Sequence, residues 1–480
     1  MHFDLLVAEI GSTTTTVSAF RGIYGQQPEF GGQGIAPTTV LQGDVTEGLM
    51  AAIEDLRGQL GEEITYDSMF ASSSAAGGLK MTVHGLVYDM TVKAAREAAL
   101  GAGAVLRYVT SGVMDGDDLS RILEIKPNII LLAGGVDYGE KTTVIANARS
   151  ISQLDIDAPV IYAGNVAAGE TVRSILESAG KKVICVENVY PRIDDLNIEP
   201  TRRAIQKVFE EHIVVAPGME RIRAMVDGRI IPTPGAVMNA AILLYEQLGD
   251  LMVVDVGGAT TDVHSVTSGS EEISEMLISP EPLAKRTVEG DLGIFVNAPN
   301  VVSIIGEDTL RAELGEDPAS LLARRSVIPA DETERRFVER LTEEAVTVAV
   351  SRHAGKLKHL YGPTGRITVA EGKDLSRIRW IIGTGGALTR LPGGKRILEG
   401  IPSERRGKEL YPKDARALID TDYIMAAAGT LGVRFPDAAA KLMLSSLGLG
   451  GTGNEKSPHR DLHRTHHAKR KSCGGPVLEA

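Results

Sequence analysis

Two short stretches carry residue types from which a paired anion and cation site can be built. The first is EIGSTTTTV, from Glu9 to Val17, and the second is DVGGATTDV, from Asp255 to Val263. Each follows an apolar run, LLVA or LMVV, and each continues as acid, aliphatic residue, glycine, small residues, threonines and valine. A Gly-Ser-Thr turn between two strands gathers backbone N–H groups and hydroxyls at one point, and glycine lets a ligand approach the main chain closely. Such clusters bind anions, phosphate above all. The acid that ends each first strand would repel a bare phosphate. It fits where Mg2+ stands between them, since Mg2+ takes one or two carboxylates and phosphate oxygens and keeps several waters. The expected phosphate-binding residues are therefore Gly11, Ser12, Thr13 and Thr14 on one side and Gly257, Gly258, Thr260 and Thr261 on the other. Glu9 and Asp255 are the expected metal-side acids. One such turn is usually only a hairpin; its repetition, with the acid placed alike, points to a paired site.

A third stretch, IIGTGGALTRLP, reads as an apolar strand, a glycine turn and a helix, and Gly383, Gly385 and Gly386 would let an adenine and ribose lie against the backbone. Alone it is as weak as any lone Gly-rich loop. Nothing matches GxxxxGK[ST], so a nucleotide here would occupy a site of another kind.

The elements that must position these residues are strands alternating with helical periodicity, an α/β pattern. Each acid-glycine stretch runs on into a second strand, VSAF or VHSV, which is a hairpin signal. IILLAGGV (Ile129 to Val136) resembles IIGTGGAL (Ile381 to Leu388) at nearly the same offset, so the spacing predicts a duplicated α/β unit with two halves facing across a cleft. TPGAVMNAAILLYEQLG reads as a helix with Pro234 at its start and Gly249 past its end. The second small-residue helix, Asp422 to Val433, carries Ala426, Ala427, Ala428 and Gly429, which would admit a neighbouring backbone. Val160 to Val189 reads as strand–helix–strand without a counterpart in the second half, and a Rossmann-like βαβ unit is a competing local reading. Glu307 to Lys358 reads as amphipathic helix. The expected division is a first lobe over residues 1–232 with a βαβ insertion at about 137–190, a second lobe over 233–447, and a disordered basic, His-containing tail over 448–480.

Composition sets limits. At 480 residues the chain expects two or three domains, and 43% hydrophobic with 24% charged residues is ordinary for a soluble protein. A net charge of −12 argues against general nucleic-acid binding, which needs a basic surface. Cys185 and Cys473 form no ligand spacing or disulfide framework, the N-terminus has no basic leader, and apolar runs are broken by charges. A cytoplasmic protein without a membrane span is expected.

Taken together, Glu9–Thr15, Thr233–Tyr245, Asp255–Asp262, Gly383–Leu388 and Asp422–Gly432 resemble, in order, the motifs of the actin, sugar kinase and Hsp70 ATPase superfamily. That resemblance implies two ribonuclease-H-like lobes around a nucleotide cleft. Two departures stand out. Glu9 occupies a position where the superfamily usually has Asp, and Thr233 stands where hydrolytic members often carry an acid and cannot serve as general base. Hydrolysis of ATP is then expected to be slow, or its water to be positioned by Asp262, Glu289 or Asp291.

Within that superfamily the phrases LLVAEIGSTTTTVSAF, ASSSAAGGLKMTVHGL, NIILLAGGVDYGEKT, PVIYAGN, VVDVGGATTDVHSV, KRTVEGDLGI and IIGTGGALTRLP resemble the glutamate mutase accessory family, labelled MutL in mutase operons and unrelated to the mismatch-repair protein of that label. The resemblance implies ATP and Mg2+ as ligands and a chaperone or reactivase role for adenosylcobalamin-dependent mutase subunits. A small-molecule kinase of the same fold and an actin-like filament or scaffold protein stay open as alternatives. No residue specifies the client mutase, or whether the protein forms a homo-oligomer.

Overall fold

The first 37 residues lay down three strands, and they do so because their apolar runs are broken only at turns. In the computed structural model, which describes residues 1–11, 13–39, 44–74, 80–102, 104–213, 219–227, 230–362, 365–403 and 408–450, these are β1 (His2–Ile10), β2 (Thr14–Arg21) and β3 (Glu29–Pro37). They form an antiparallel meander. Leu5 to Ala8 of β1 are all buried, as expected of a strand covered on both faces. β4 (Thr65–Ser73) lies parallel to β1, and β10 (Ile230–Pro232) lies parallel to β4, giving the order β10-β4-β1-β2-β3.

The second half repeats that plan. β11 (Leu251–Val256), β12 (Thr261–Val266) and β13 (Ala284–Glu289) make the meander, and β16 (Trp380–Thr384) and β17 (Arg416–Ile419) add in parallel on the other side of β11. The order β13-β12-β11-β16-β17 matches the first sheet strand for strand. Two ribonuclease-H-like lobes are thus written in the topology itself. A separate hairpin, β14 (Lys356–Gly362) and β15 (Gly365–Glu371), belongs to neither sheet.

Between β4 and β10 the chain builds a third sheet. β5 (Lys80–Gly85), β6 (Val105–Ser111), β7 (Ile129–Leu132), β8 (Val160–Tyr162) and β9 (Val183–Cys185) are all parallel, in the order β6-β5-β7-β8-β9. The insertion is therefore larger than a βαβ segment at 137–190; it begins by Lys80. IILLAGGV corrects the expected duplication as well. Ile129–Leu132 pairs with β5 and β8, so it is not the partner of IIGTGGAL; β4 holds that place in the first lobe. An apolar strand followed by Gly-Gly is what any buried parallel strand looks like when it turns tightly into its crossover.

The helix Thr233–Leu248 has Pro234 in its first turn and Gly249 just beyond its end, as the sequence predicts. The second small-residue helix is shorter than expected, Met425–Leu431, and all seven of its residues are buried. Both lie between the two lobe sheets in one core. Leu5 and Val7 come from the first sheet, Leu251 and Val253 from the second, and Ala236, Ala240, Ala427 and Ala428 from the helices. At the crossing, a Cβ on Gly429 would sit 1.8 Å from the carbonyl oxygen of Ala236. Only glycine permits that approach. The charged run after Glu307 forms three helices, Glu307–Leu314, Pro318–Arg324 and Glu332–His353. Of the tail expected over 448–480, residues 451–480 lie outside the described residues.

Gly429→Val should lower stability by about 3 kcal/mol through overpacking of this crossing. Gly58→Ala, inside the helix Val45–Leu60 where an added Cβ meets nothing, should raise it by about 0.5–1 kcal/mol. Thermal unfolding of the two variants beside the wild type checks both signs.

Candidate functional site

The two acid-glycine stretches fold into the same turn. Ile10 pairs with Thr15 and Val256 with Thr261, so each hairpin closes over four residues. In each the glycine N–H donates to the threonine carbonyl at the far side, Gly11 to Thr14 and Gly257 to Thr260, both at 2.9 Å. Thr38 braces the first turn by donating its hydroxyl to the Gly11 carbonyl at 2.9 Å. The second turn is braced through its carbonyls. Ile294 N–H donates to Gly257, Phe295 and Val296 N–H groups to Gly258, and the Asn297 side-chain amide to Ala259. The N–H groups of Gly258 and Ala259 are left without a protein acceptor among the described residues. N–H groups without a protein acceptor are what an anion needs.

The turns meet. A Cβ at Gly258 would lie 3.2 Å from Thr13 Cγ2 and 3.4 Å from Thr13 Oγ1. Gly385, held at φ +84°, backs onto the base of the second turn, where an added Cβ would come 2.7 Å from Asp255 Oδ1 and 2.4 Å from the Val256 carbonyl oxygen. Gly386 opens the short helix Gly386–Arg390. Gly383 faces the other way, since its side-chain position abuts Leu398 and Ile419. Ser12 lies outside the described residues.

Glu9 and Asp255 are brought into one electrostatic neighbourhood. Burial pushes the Glu9 carboxyl from its ordinary 4.5 up to about 8, with the charges of Asp255 and Asp420 adding to the effect. Asp255 rises from 3.8 to about 7, again through burial first and then through Asp262, with Arg286 opposing and Asp420 adding. Buried acids without a paired cation carry this penalty, and a divalent ion relieves it. Glu9, Asp255 and Asp420 do not close into a direct three-ligand cage. Among the described residues that geometry occurs at His2, Asp4 and Asp67, at the opposite end of β1. The donor set suits a hydrated cation held through water.

The three acids expected to help with hydrolysis are placed as follows. Asp262, opposite Asp255 on β12, is buried, and its Oδ1 accepts from Arg286 Nη2 at 2.8 Å and Nε at 3.1 Å. Its Oδ2 accepts from the Thr260 hydroxyl. Glu289 and Asp291 share Arg352, whose Nη1 lies 2.6 Å from Glu289 Oε2 and 2.8 Å from Asp291 Oδ1. Thr261 spends its hydroxyl on the Leu292 carbonyl at 2.8 Å.

Sequence reasoning missed Asp420, Tyr423, Arg390 and Gln33. Asp420 accepts from the hydroxyls of Thr384 and Ser446 and from the N–H groups of Ile424 and Met425, so it ties β16 to the start of the small-residue helix. An acid directly after the apolar RALI of β17 was the available signal, and it repeats the acid-at-strand-end pattern of Glu9 and Asp255. Tyr423 sits at φ 52°, and burial together with Glu9, Asp255 and Asp420 drives its phenol well above the usual range. Its carbonyl accepts from Gln33 Nε2 at 2.9 Å, while Arg390 Nη2 donates to Gln33 Oε1 at 2.8 Å. This is a polar tie between β3 of one lobe and the second lobe.

Comparison with known proteins places the chain in a family. A family model described as MutL protein matches residues 5–447. "Protein MutL" of Clostridium tetanomorphum is 36% identical over 459 residues, which cover 91% of this chain and 98% of that protein. The chain belongs to the MutL protein family. Solved structures matched at low identity include a nucleotide-free acetone carboxylase, 12% identical with a TM-score of 0.36, covering 89% of this chain and 70% of that one. A nucleotide-free diol dehydratase-reactivating factor is 11% identical with a TM-score of 0.36, over 89% and 98% of the two chains.

For this MutL-family protein the buried acids fix a pH dependence. Both folded carboxyls titrate above their unfolded values, so the native state binds more protons, and stability falls as pH rises through the interval up to about 8. In metal-free buffer the Tm should drop by several degrees between pH 6 and 8.5. Glu9→Gln combined with Asp255→Asn should flatten the slope. An unchanged slope in that variant would refute the assignment.

Proposed function

We propose that the chain binds Mg·ATP between the two hairpins and serves as an accessory, reactivase-like protein for an adenosylcobalamin-dependent mutase of the glutamate mutase or aminomutase kind. Family membership supports the class of partner. The observation that carries nucleotide binding is the contact of the two equivalent turns at Gly258 and Thr13, with Glu9 and Asp255 beneath them in one another's field. The turns would hold phosphates through N–H groups and hydroxyls, and Glu9 and Asp255 would hold the hydrated Mg2+. The ion supplies positive charge between carboxylates and phosphates. Gly385 and Gly386 would take the nucleoside side. In this reading residues 1–232 and 233–447 act as two lobes that a shared ligand draws together.

Turnover should be slow. Thr233 cannot act as a base, Asp262 is engaged by Arg286, and Glu289 and Asp291 by Arg352. Asp262, which pairs across the strands from Asp255, would be the acid to orient the attacking water. A ligand that favours one arrangement of the lobes shifts the protein toward it only by its difference in affinity for the two. That is how nucleotide state would reach a mutase held on the outer surface. Release of damaged cobalamin bound at nanomolar affinity requires ~12 kcal/mol, so partner binding must differ substantially between states.

Calorimetry tests the ligand. Wild-type protein should bind ATP in the presence of Mg2+, and Asp255→Ala should weaken that binding about tenfold or more while altering binding in EDTA little. Gly258→Val should weaken both. A pull-down with candidate cobalamin mutase subunits, with and without Mg·ATP, tests the role. Binding that ignores nucleotide would refute the gated part of the proposal.

A further inference from the structure

We infer that the carboxyl-terminal edge of the inserted sheet is the surface that grips the partner, and that the partner presents an apolar patch rimmed by lysine and arginine. The inference rests on the accessory role proposed above and names the surface and the complementary chemistry.

Val87 and Tyr88 follow β5, Val113 follows β6, Tyr138 follows β7, Val166 follows β8 and Ile193 follows β9. Every strand of the sheet thus delivers an exposed large apolar residue at the same end, from Val87 at 43% exposed to Tyr138 at 83%. Single exposed apolar side chains are commonplace. Five loops doing so together, at one edge, are not. The loops at the other edge, among the described residues, carry Lys126, Asp155, Asp157, Lys181 and Lys182 and no exposed large apolar residue. The apolar edge is also the one at which parallel sheets of this winding bind their ligands.

The crown is held rigid from below. Buried Asn165 accepts from the N–H groups of Tyr138 and Ala167 and donates to the carbonyls of Gly139 and Glu140. Asn188 donates to the Gly135 carbonyl and to Asp137 Oδ1, and that same oxygen accepts from the Val166 N–H. The loops after β7, β8 and β9 therefore form one frame. Tyr138 is kept at φ 62°, an uncommon conformation for a residue with a side chain, and its ring is left in solvent. A fixed aromatic anchor loses little entropy on binding.

Charge chooses the occupant. Exposed Asp89, Asp115, Asp117, Glu140, Asp194 and Asp195 surround the apolar residues, against Lys141 and Arg192. Two copies of such a rim would repel, which disfavours self-association through this edge, and an anionic small molecule is disfavoured likewise. A protein face with an apolar centre and a basic border is complementary.

The crown also communicates with the cleft. The helix Lys93–Gly101 follows Tyr88 within one turn. Lys93 Nζ lies 2.6 Å from Glu281 Oε1 of the second lobe, and Arg286, which binds Asp262, donates to the Leu100 carbonyl at the end of that helix. A change in lobe arrangement pulls directly on the element that presents Tyr88.

The test uses the full chain and immobilised cobalamin mutase subunits. Val113→Arg with Ile193→Arg should weaken capture about thirtyfold while Mg·ATP binding persists as the control for folding. Leu123→Arg, exposed away from the crown, should not weaken it. Asp89→Lys with Asp117→Lys should lower both the affinity and its salt dependence. If the wild type captures a mutase and the crown variants capture it equally, the crown is not the grip, and the accessory role stands. If the wild type captures none, the accessory role falls and this surface with it. If a chain ending at Gly450 binds more tightly than the full chain, the basic residues between Lys456 and Lys471 occupy the crown, and the inference is overturned.

Discussion

Everything in the cleft follows from placing ionisable carboxyls where water is scarce. Glu9, Asp255 and Asp420 stand at strand ends, where burial raises the cost of charging each; Asp255 and Asp420 add to that cost at Glu9, and Asp420 adds to it at Asp255. Asp420 is compensated by four hydrogen-bond donors, two hydroxyls and two peptide N–H groups. Among the described residues Glu9 and Asp255 have no comparable compensation, and each precedes one of the two four-residue glycine turns. Such a pair is an expensive arrangement for stability alone. In the function proposed above, the pair would be relieved by a hydrated cation.

The internal duplication gives that socket its symmetry, and its departures from symmetry give it direction. Thr16 faces Glu9 across the first hairpin, whereas Asp262 faces Asp255 across the second. Arg286 then neutralises Asp262 and runs on to the Leu100 carbonyl, so the second lobe's turn is wired to the inserted segment. The first lobe's turn answers instead to Thr38. Two equivalent folds thus hold unlike halves of one site.

Much of this was legible from residue order because hairpins and long helices are local. An apolar run, a four-residue glycine turn and a second apolar run leave few alternatives, and Pro234 and Gly249 bracketed their helix to within a residue. Strand pairing is not local, and there the reading failed. IILLAGGV looks like IIGTGGAL because burial between crossovers demands the same composition wherever it occurs, and only the register shows that β4 is the true counterpart. The Arg286, Arg352 and Gln33 partnerships join positions far apart in the chain, so spacing held no trace of them. Asp420 was within reach, had the acid-at-strand-end pattern been followed to a third instance.

The crossing of the two small-residue helices has one more consequence. Alanine and glycine present shallow ridges, so at Gly429 and Ala236 the helices touch nearly backbone to backbone. A contact so close to both helix axes leaves little lever arm between the helices themselves. Any small rotation about Gly429 would become large travel at the rim of the molecule, where a lever gains reach in proportion to its length.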